Sequence, residues 1–177
     1  AQSNPPSQKM GLAEVIPPSG AFLQATKSGE AALIKTVLEI IGPSKRVVDL
    51  FAGCGTFALP ISSKATVHAL EGDVNMIAAL DSGWRAAGGL HDIKSETRDL
   101  FRRPLMPDEF KKIDAIVIDP PRAGAVSQVV EIAKANVGRI AFVSCNPATF
   151  ARDASILCNN GYNLDWVQVI DQFLWNP

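Results

Sequence analysis

The sequence predicts an α/β fold in which a mostly parallel sheet carries helices on both faces. Three observations predict it. Short, nearly continuous apolar runs such as Ala115-Ile116-Val117-Ile118 alternate with longer stretches whose apolar residues recur every three or four positions. The first pattern belongs to strands buried on both sides, the second to amphipathic helices. Five successive strand-like segments are followed by Gly53, Glu71, Asp99, Asp119 and Cys145. A parallel sheet puts all its strand ends on one edge, so these five residues would meet in one crevice, where open α/β sheets bind ligands. Finally, 177 residues, 47% hydrophobic and 20% charged, suit one domain with a sizeable core.

Residues 1–20 hold Pro5, Pro6, Pro17 and Pro18 around one apolar stretch, Leu12 to Ile16. They read as an extended arm with one edge strand. Residues 1–25 are thus expected to be an arm or linker, and 26–177 the domain proper. Ser28 can cap a helix to Ile41, with Leu33, Val37 and Ile41 on one stripe, and Gly42-Pro43 stops it. Arg46 to Phe51 is the first strand of the sheet, followed by a glycine loop and a short helix from Thr56 to Ser63. Thr66 to Leu70 is the second strand. Asp73 caps a helix to Ala87, with Val74, Ile77, Ala78 and Trp84 on its apolar face, and Gly88-Gly89 ends it. Ile93 to Thr97 and Ile113 to Ile118 are strands three and four. Val126, Val129, Val130, Ala133 and Val137 mark a further helix. Arg139 to Val143 is strand five. Asn146 is a good N-cap and Pro147 suits a first helical position, so the next helix starts there and Gly161 ends it. Asn163 to Ile170 alternates less cleanly and reads as strand six.

Composition narrows the function. A net charge of −1 offers no global basic field to attract nucleic acid, which leaves only a local patch. Arg98, Arg102 and Arg103 form a small basic group on the same edge, and read equally well as RNA contacts or as a solvated face, while Arg122 could pair with a phosphate or a nearby acid. Three cysteines without a Cys-x-x-Cys pair argue against a disulfide framework or a zinc site, and fit a reducing, cytoplasmic setting. No stretch approaches the ~18 apolar residues of a membrane span. The N-terminus lacks the charge-then-apolar pattern of a signal peptide.

Three loops carry chemistry. Asp49-Leu50-Phe51-Ala52-Gly53-Cys54-Gly55-Thr56 joins a strand to a helix, and with Ala58 it matches G-x-G-x-x-A. Asp49 argues against a pyrophosphate, because its charge would repel phosphate unless it points away or is paired. No basic residue between Asp49 and Pro60 offsets it. A cationic ligand without phosphate, such as S-adenosylmethionine, suits this acidic rim better. Glu71 is placed to accept hydrogen bonds from ribose hydroxyls, and Asp99 to meet an adenine amino group. In the second loop, Asp119-Pro120-Pro121-Arg122, two prolines stiffen the backbone so that one carboxylate can be held against a flat polar ring. In the third, Ser144-Cys145-Asn146-Pro147 puts a cysteine between a strand end and a helix N-terminus, a place that favours the reactive thiolate. Cys54 and Cys158 read as structural. His68 and His91 have no partners that suggest metal binding or acid–base work.

These motifs, with Phe22-Leu23-Gln24 before them and Arg152-Asp153 and Asp171-Gln172-Phe173 after, occur in the order seen in one family. From about Pro17 to the end the chain resembles the catalytic domain of the bacterial RNA uracil-5-methyltransferases, which make 5-methyluridine in ribosomal or transfer RNA. The resemblance implies a class I methyltransferase, Rossmann-like sheet and S-adenosylmethionine as cofactor. It implies that Gln24 contacts the methyl-donor side, that Phe51, Gly53, Gly55 and Thr56 line the cofactor pocket, that Glu71 binds ribose and Asp99 adenine, and that Asp119 lies between cofactor and base. Cys145 would be the nucleophile that adds to uracil C6 and makes C5 reactive. The implied partner is RNA, with ribosomal RNA favoured over transfer RNA. In the family a glutamate base follows in a His-x-Glu motif, where this chain reads Trp175-Asn176-Pro177. The resemblance therefore implies a piece of a longer protein, without the last sheet strand, the upstream RNA-binding domain or the iron–sulfur cysteines of some members. Three rival readings stay open: a methyltransferase of another substrate, a non-catalytic S-adenosylmethionine-binding module, and a nicotinamide oxidoreductase, against which Asp49 argues.

Overall fold

The computed structural model describes residues 6–172. Phe173 and the terminal Trp175-Asn176-Pro177, which the motif reading used, lie outside the described residues. Five parallel strands form one sheet in the order β5-β4-β3-β6-β7. They are β3 (Arg46–Leu50), β4 (Thr66–Glu71), β5 (Ile93–Thr97), β6 (Ala115–Ile118) and β7 (Ile140–Phe142). The chain winds outward from β3 in one direction, then returns to β3 and winds outward in the other. The reversal point, between β3 and β6, is where such sheets open a crevice at their carboxyl edge. The expected mostly parallel sheet, with helices on both faces, is the one observed.

Alternation along the strands divides the core. Val47, Val67, Ala69, Ala115 and Val117 face one layer, made by α1 (Lys27–Ile41), α2 (Ala58–Ile61) and α3 (Val74–Ala86). Val48, Leu50, Leu70, Ile116 and Ile118 face the other, made by α4 (Val126–Ala135), α5 (Pro147–Asn159) and a 3₁₀ turn, Pro107–Phe110. Asp73 caps α3 by accepting from the Asn75 amide, and Asn146 caps α5 by accepting from the Ala148 amide, as expected of each. Thr26, rather than Ser28, caps α1, because its hydroxyl accepts from the Gly29 amide. On α3 the inward residues are Ile77, Leu80 and Gly83, whereas Val74 is 61% exposed.

Two stretches differ from expectation. Residues 8–15 are not an arm with one edge strand but a hairpin of β1 (Gln8–Met10) and β2 (Ala13–Val15). Met10 and Val15 are fully buried in the first core layer, and β2 lies on α3 at Gly83, where a side chain would overlap Val15. Asn163 to Ile170 is not a sixth strand. It makes no ladder with β7. Gln168 instead accepts a hydrogen bond from Thr36 of α1 at 2.9 Å, and Leu164, Val167 and Val169 stay exposed. A strand forms where a neighbouring edge offers paired N–H and C=O groups, and this segment is drawn toward a helix instead. Among the described residues no helix is long and apolar enough to cross a membrane.

Candidate active site

The carboxyl edge of the sheet brings the sequence-selected residues together in strand order. Asp99 follows β5, Glu71 ends β4, Phe51 and Gly53 follow β3, Asp119 follows β6 and Cys145 follows β7. With strands ~4.8 Å apart, this row spans about 19 Å. Hydrogen bonds carry the pairing into the loops: Ala52 N donates to Leu70 O at 2.9 Å, Arg98 N to Glu71 O at 2.8 Å, Asp119 N to Leu50 O at 3.3 Å and Val143 N to Ile118 O at 2.9 Å. The first residues past the strands are therefore tied to the neighbouring strands by backbone hydrogen bonds.

The glycine loop has an unusual backbone. Phe51, Gly53 and Gly55 all have positive φ, at 64°, 55° and 98°. At Gly55 a Cβ would also strike the Leu59 side chain, so the turn admits only glycine. Phe51 is not glycine, and a side chain held in the left-handed region costs on the order of 1 kcal/mol. The turn aims its ring at Phe101, 5.5 Å away and tilted by 53°. Phe101 went unnoticed in the sequence. Its signal is its place two residues after Asp99, and it is 47% exposed on the crevice side of the 99–103 turn. Half-buried Thr56 follows at the mouth of α2.

Four carboxylates rim this loop, each held differently. Glu71 Oε2 accepts from Gly53 N and its Oε1 from Asp73 N, both at 3.0 Å. Each oxygen keeps a free lone pair, as a carboxylate that receives a diol requires. Asp99 Oδ1 accepts from Phe101 N at 3.0 Å and Arg102 N at 3.2 Å. Asp119, just past β6, is largely wrapped in protein, and that burial lifts its carboxyl to about 7. Asp49 lies two residues below the edge, in register with Ala69 and Val117. It is fully buried and neither oxygen has a hydrogen-bond partner among the described residues. Burial first, then the charges of Asp119 and Glu71, push its carboxyl well above the usual range. The Ala58 amide works in the opposite direction. Asp49 thus lies inside the fold rather than as an open charge at the start of the loop.

Cys145 is exposed, in the turn between β7 and α5. The Asn146 side chain beside it has two tasks. Its oxygen caps α5, and its amide nitrogen donates to Arg122 O of the Asp119 loop at 3.1 Å. Gln24, just before α1, is engaged from the C-terminal side, where Gln172 Nε2 donates to its Oε1 at 2.9 Å. Of the candidate basic residues, Arg98 is spent inside the fold. Its guanidinium grips both oxygens of Glu109 at 2.7 and 2.9 Å and donates to the Arg103 and Pro104 carbonyls, so it is a structural brace rather than a patch for RNA. Arg102 lies 3.5 Å from Asp99.

These observations bear on what can bind. An acidic rim with a buried carboxyl group that lacks a partner suits a cation, and Glu71 with both oxygens backbone-fixed suits a vicinal diol. A pyrophosphate would meet the Glu71 carboxylate, with no basic side chain in the loop to offset it. The residues present therefore fit an adenosyl sulfonium and fit a dinucleotide badly. No group of three or more His, Cys, Asp or Glu residues is placed to hold a metal among the described residues.

Comparison with known proteins gives matches in sequence and in structure. The family model described as tRNA (uracil-5-)-methyltransferase matches residues 17–177. An uncharacterized RNA methyltransferase of Rhizobium meliloti is 56% identical over 162 residues, which cover 92% of this chain and 39% of the relative. A 23S rRNA (uracil(1939)-C(5))-methyltransferase of Pseudomonas syringae is 37% identical over 87% of this chain and 35% of its own length. The chain thus spans about two fifths of the length of the curated relatives it matches. Among solved structures, the tRNA (uracil-54, C5)-methyltransferase of Pyrococcus abyssi, in complex with S-adenosyl-L-homocysteine, superposes with a TM-score of 0.76 at 23% identity. That match covers 90% of this chain and 38% of the other.

Proposed function

The chain belongs to the tRNA (uracil-5-)-methyltransferase family, and on that premise we propose that it transfers a methyl group from S-adenosylmethionine to C5 of a uridine in RNA, with Cys145 as nucleophile. One observation carries the reading. The exposed thiol of Cys145 stands on the same sheet edge as the acidic, diol-ready loop, one strand beyond Asp119. Ribosomal RNA is the favoured substrate, supported by the name of the 37% identical relative.

The cofactor supplies an electrophilic methyl group on a sulfonium. Glu71 holds the ribose diol, Asp99 the adenine edge, Phe51 and Thr56 line the pocket, Gly53 and Gly55 give it room, and Gln24 closes its methyl-donor side. Cys145 thiolate adds to uracil C6, and the C5–C6 π pair moves toward the C4 oxygen to leave an enolate. C5 then takes the methyl group as the S–CH₃ bonding pair stays on sulfur. Loss of the C5 proton to a base returns the electrons to C5–C6 and expels the thiolate, so one difficult substitution becomes several easier steps. Asp119 would lie between cofactor and base and hold the ring. The uridine must leave its stack to reach Cys145.

The test uses the whole chain with S-adenosylmethionine and an RNA whose uridines carry fluorine at C5. Fluorine cannot leave as a proton would, so the expected product is a methylated RNA–protein adduct that survives denaturing electrophoresis and is absent in Cys145→Ala. Methylation of ordinary RNA by Cys145→Ala at an undiminished rate would sink the thiol mechanism.

A further inference from the structure

The loop that carries Asp119 and the helix that starts beside Cys145 are joined by more than their neighbouring strands. Residues 119–125 leave β6 and enter α4, and they lie flush on the first two turns of α5. Four side chains of α5 and its cap hold them there. Asn146 Nδ2 donates to Arg122 O at 3.1 Å, and Thr149 Oγ1 reaches the same carbonyl at 3.2 Å. Arg152 Nη2 donates to Ala123 O at 2.9 Å, and Ala125 N donates to Asp153 Oδ2 at 2.7 Å. The last two residues are themselves paired, with Arg152 Nε on Asp153 Oδ1 at 2.8 Å.

Two further facts make this a built joint. Asp153 is fully buried, and a buried carboxylate is kept only where its charge is met and its oxygens are bonded, as both are here. Gly124 has a φ of 76°, and a Cβ on it would overlap Arg152 Nη2 and the Asp153 carboxylate. The loop backbone comes close enough to meet these side chains because position 124 has none.

We infer that Asp153, with Arg152, is a positioning pair: it clamps the Asp119 loop to the helix that presents Cys145, so that the carboxylate and the thiol keep one separation during the reaction. This rests on the proposed function. The clamp touches neither the glycine loop nor Glu71, so cofactor affinity should not depend on it. Cys145 is already exposed, so its intrinsic reactivity should not depend on it either. What depends on it is the step in which thiol and carboxylate act on one ring, because small misplacements of reacting groups cost large factors in rate.

The experiment compares the whole chain with Asp153→Ala, Asp153→Asn and Gly124→Ala. Gly124→Ala breaks the same contact from the loop side and leaves both clamp residues in place. Four readouts are taken: hydrogen exchange at the Ala125 amide, S-adenosylhomocysteine affinity, alkylation of Cys145 by iodoacetamide, and the rate of adduct formation with the 5-fluorouridine RNA. The expected result is exchange at Ala125 at least ten-fold faster, affinity and alkylation within two-fold, and adduct formation at least ten-fold slower at saturating RNA. Asp153→Asn should recover part of the loss, and Asp153→Ala combined with Gly124→Ala should be no slower than the worse single variant. Adduct formation within two-fold of the unmodified chain in both Asp153→Ala and Gly124→Ala would overturn the inference. So would equal losses in all readouts that follow thermal stability. If the unmodified chain forms no adduct at all, the proposed function fails, and hydrogen exchange alone then decides the clamp: an Ala125 amide no faster in Asp153→Ala overturns it.

Discussion

Replacing Asp119 by Asn should stabilise the chain without ligand, and by an amount that grows with pH. Burial moves this carboxyl from 3.8 to about 7. The folded chain therefore keeps a proton that the unfolded chain has released. The stability this contributes is complete below pH 3.8 and is lost as pH rises through about 7. Three pH units at ~1.36 kcal/mol each make about 4 kcal/mol, to be set against a total of ~5–15 kcal/mol for a domain. Water at the crevice mouth screens the charge, so about 4 kcal/mol is an upper figure. Asp49 adds in the same direction, because the charge of Asp119 is one of the causes that raise it. Asn stays neutral throughout. Urea unfolding at pH 5 and pH 8 should show a gap between variant and unmodified chain that widens by about 2–3 kcal/mol, through midpoint shifts at constant slope. A gap that is the same at both values would refute the argument that the site holds strained carboxylates. The physical content is that this edge is electrostatically unsettled without a ligand, and that a cation binding there relieves it.

Two further outcomes follow from single contacts. Glu71→Gln keeps the shape but loses the charge and turns an amide toward one of the two N–H groups that Glu71 now accepts. Hydrogen bonds to a charged acceptor contribute ~1.5–3 kcal/mol, so calorimetry should find S-adenosylhomocysteine bound at least ten-fold more weakly, and affinity within two-fold would remove Glu71 from the site. Gln128→Ala strips both partners from Leu105, whose N–H and C=O it bonds in the buried interior at 2.8 and 3.1 Å. The melting temperature should fall by about 5–10 °C with ligand affinity unchanged.

How much could be read in advance depended on how local the cause was. The strand β6 follows from its own apolar run, and the helix starts at Val74 and Pro147 follow from caps one residue away. The edge itself was legible because a parallel sheet collects whatever follows its strands. Causes that act across the fold were not. Residues 163–170 carry strand-like side chains, and only the hydrogen bond from Thr36 shows where the segment goes. Phe51 gives no sign in sequence of its left-handed backbone. Arg152-Asp153 was noticed as part of a motif, but its role needs the approach of Gly124 from twenty-eight residues away. Asp49 was read as a charge in the loop, while its complete burial depends on β4 and β6 closing on either side of it.

The hairpin of residues 8–15 sets an order of events as the chain is made. Val15 finds its burial against α3, at Gly83, 68 residues later in the sequence. A ribosome adding ~5–20 residues per second needs several seconds to supply that partner. For that interval two strand segments with apolar side chains have emerged without α3 to pack on. The stretch is short and ringed by prolines at 5, 6, 17 and 18, which cannot donate to a growing ladder. The same prolines that made the segment look like a loose arm thus serve as its protection against pairing with a neighbour while it waits for its place in the core.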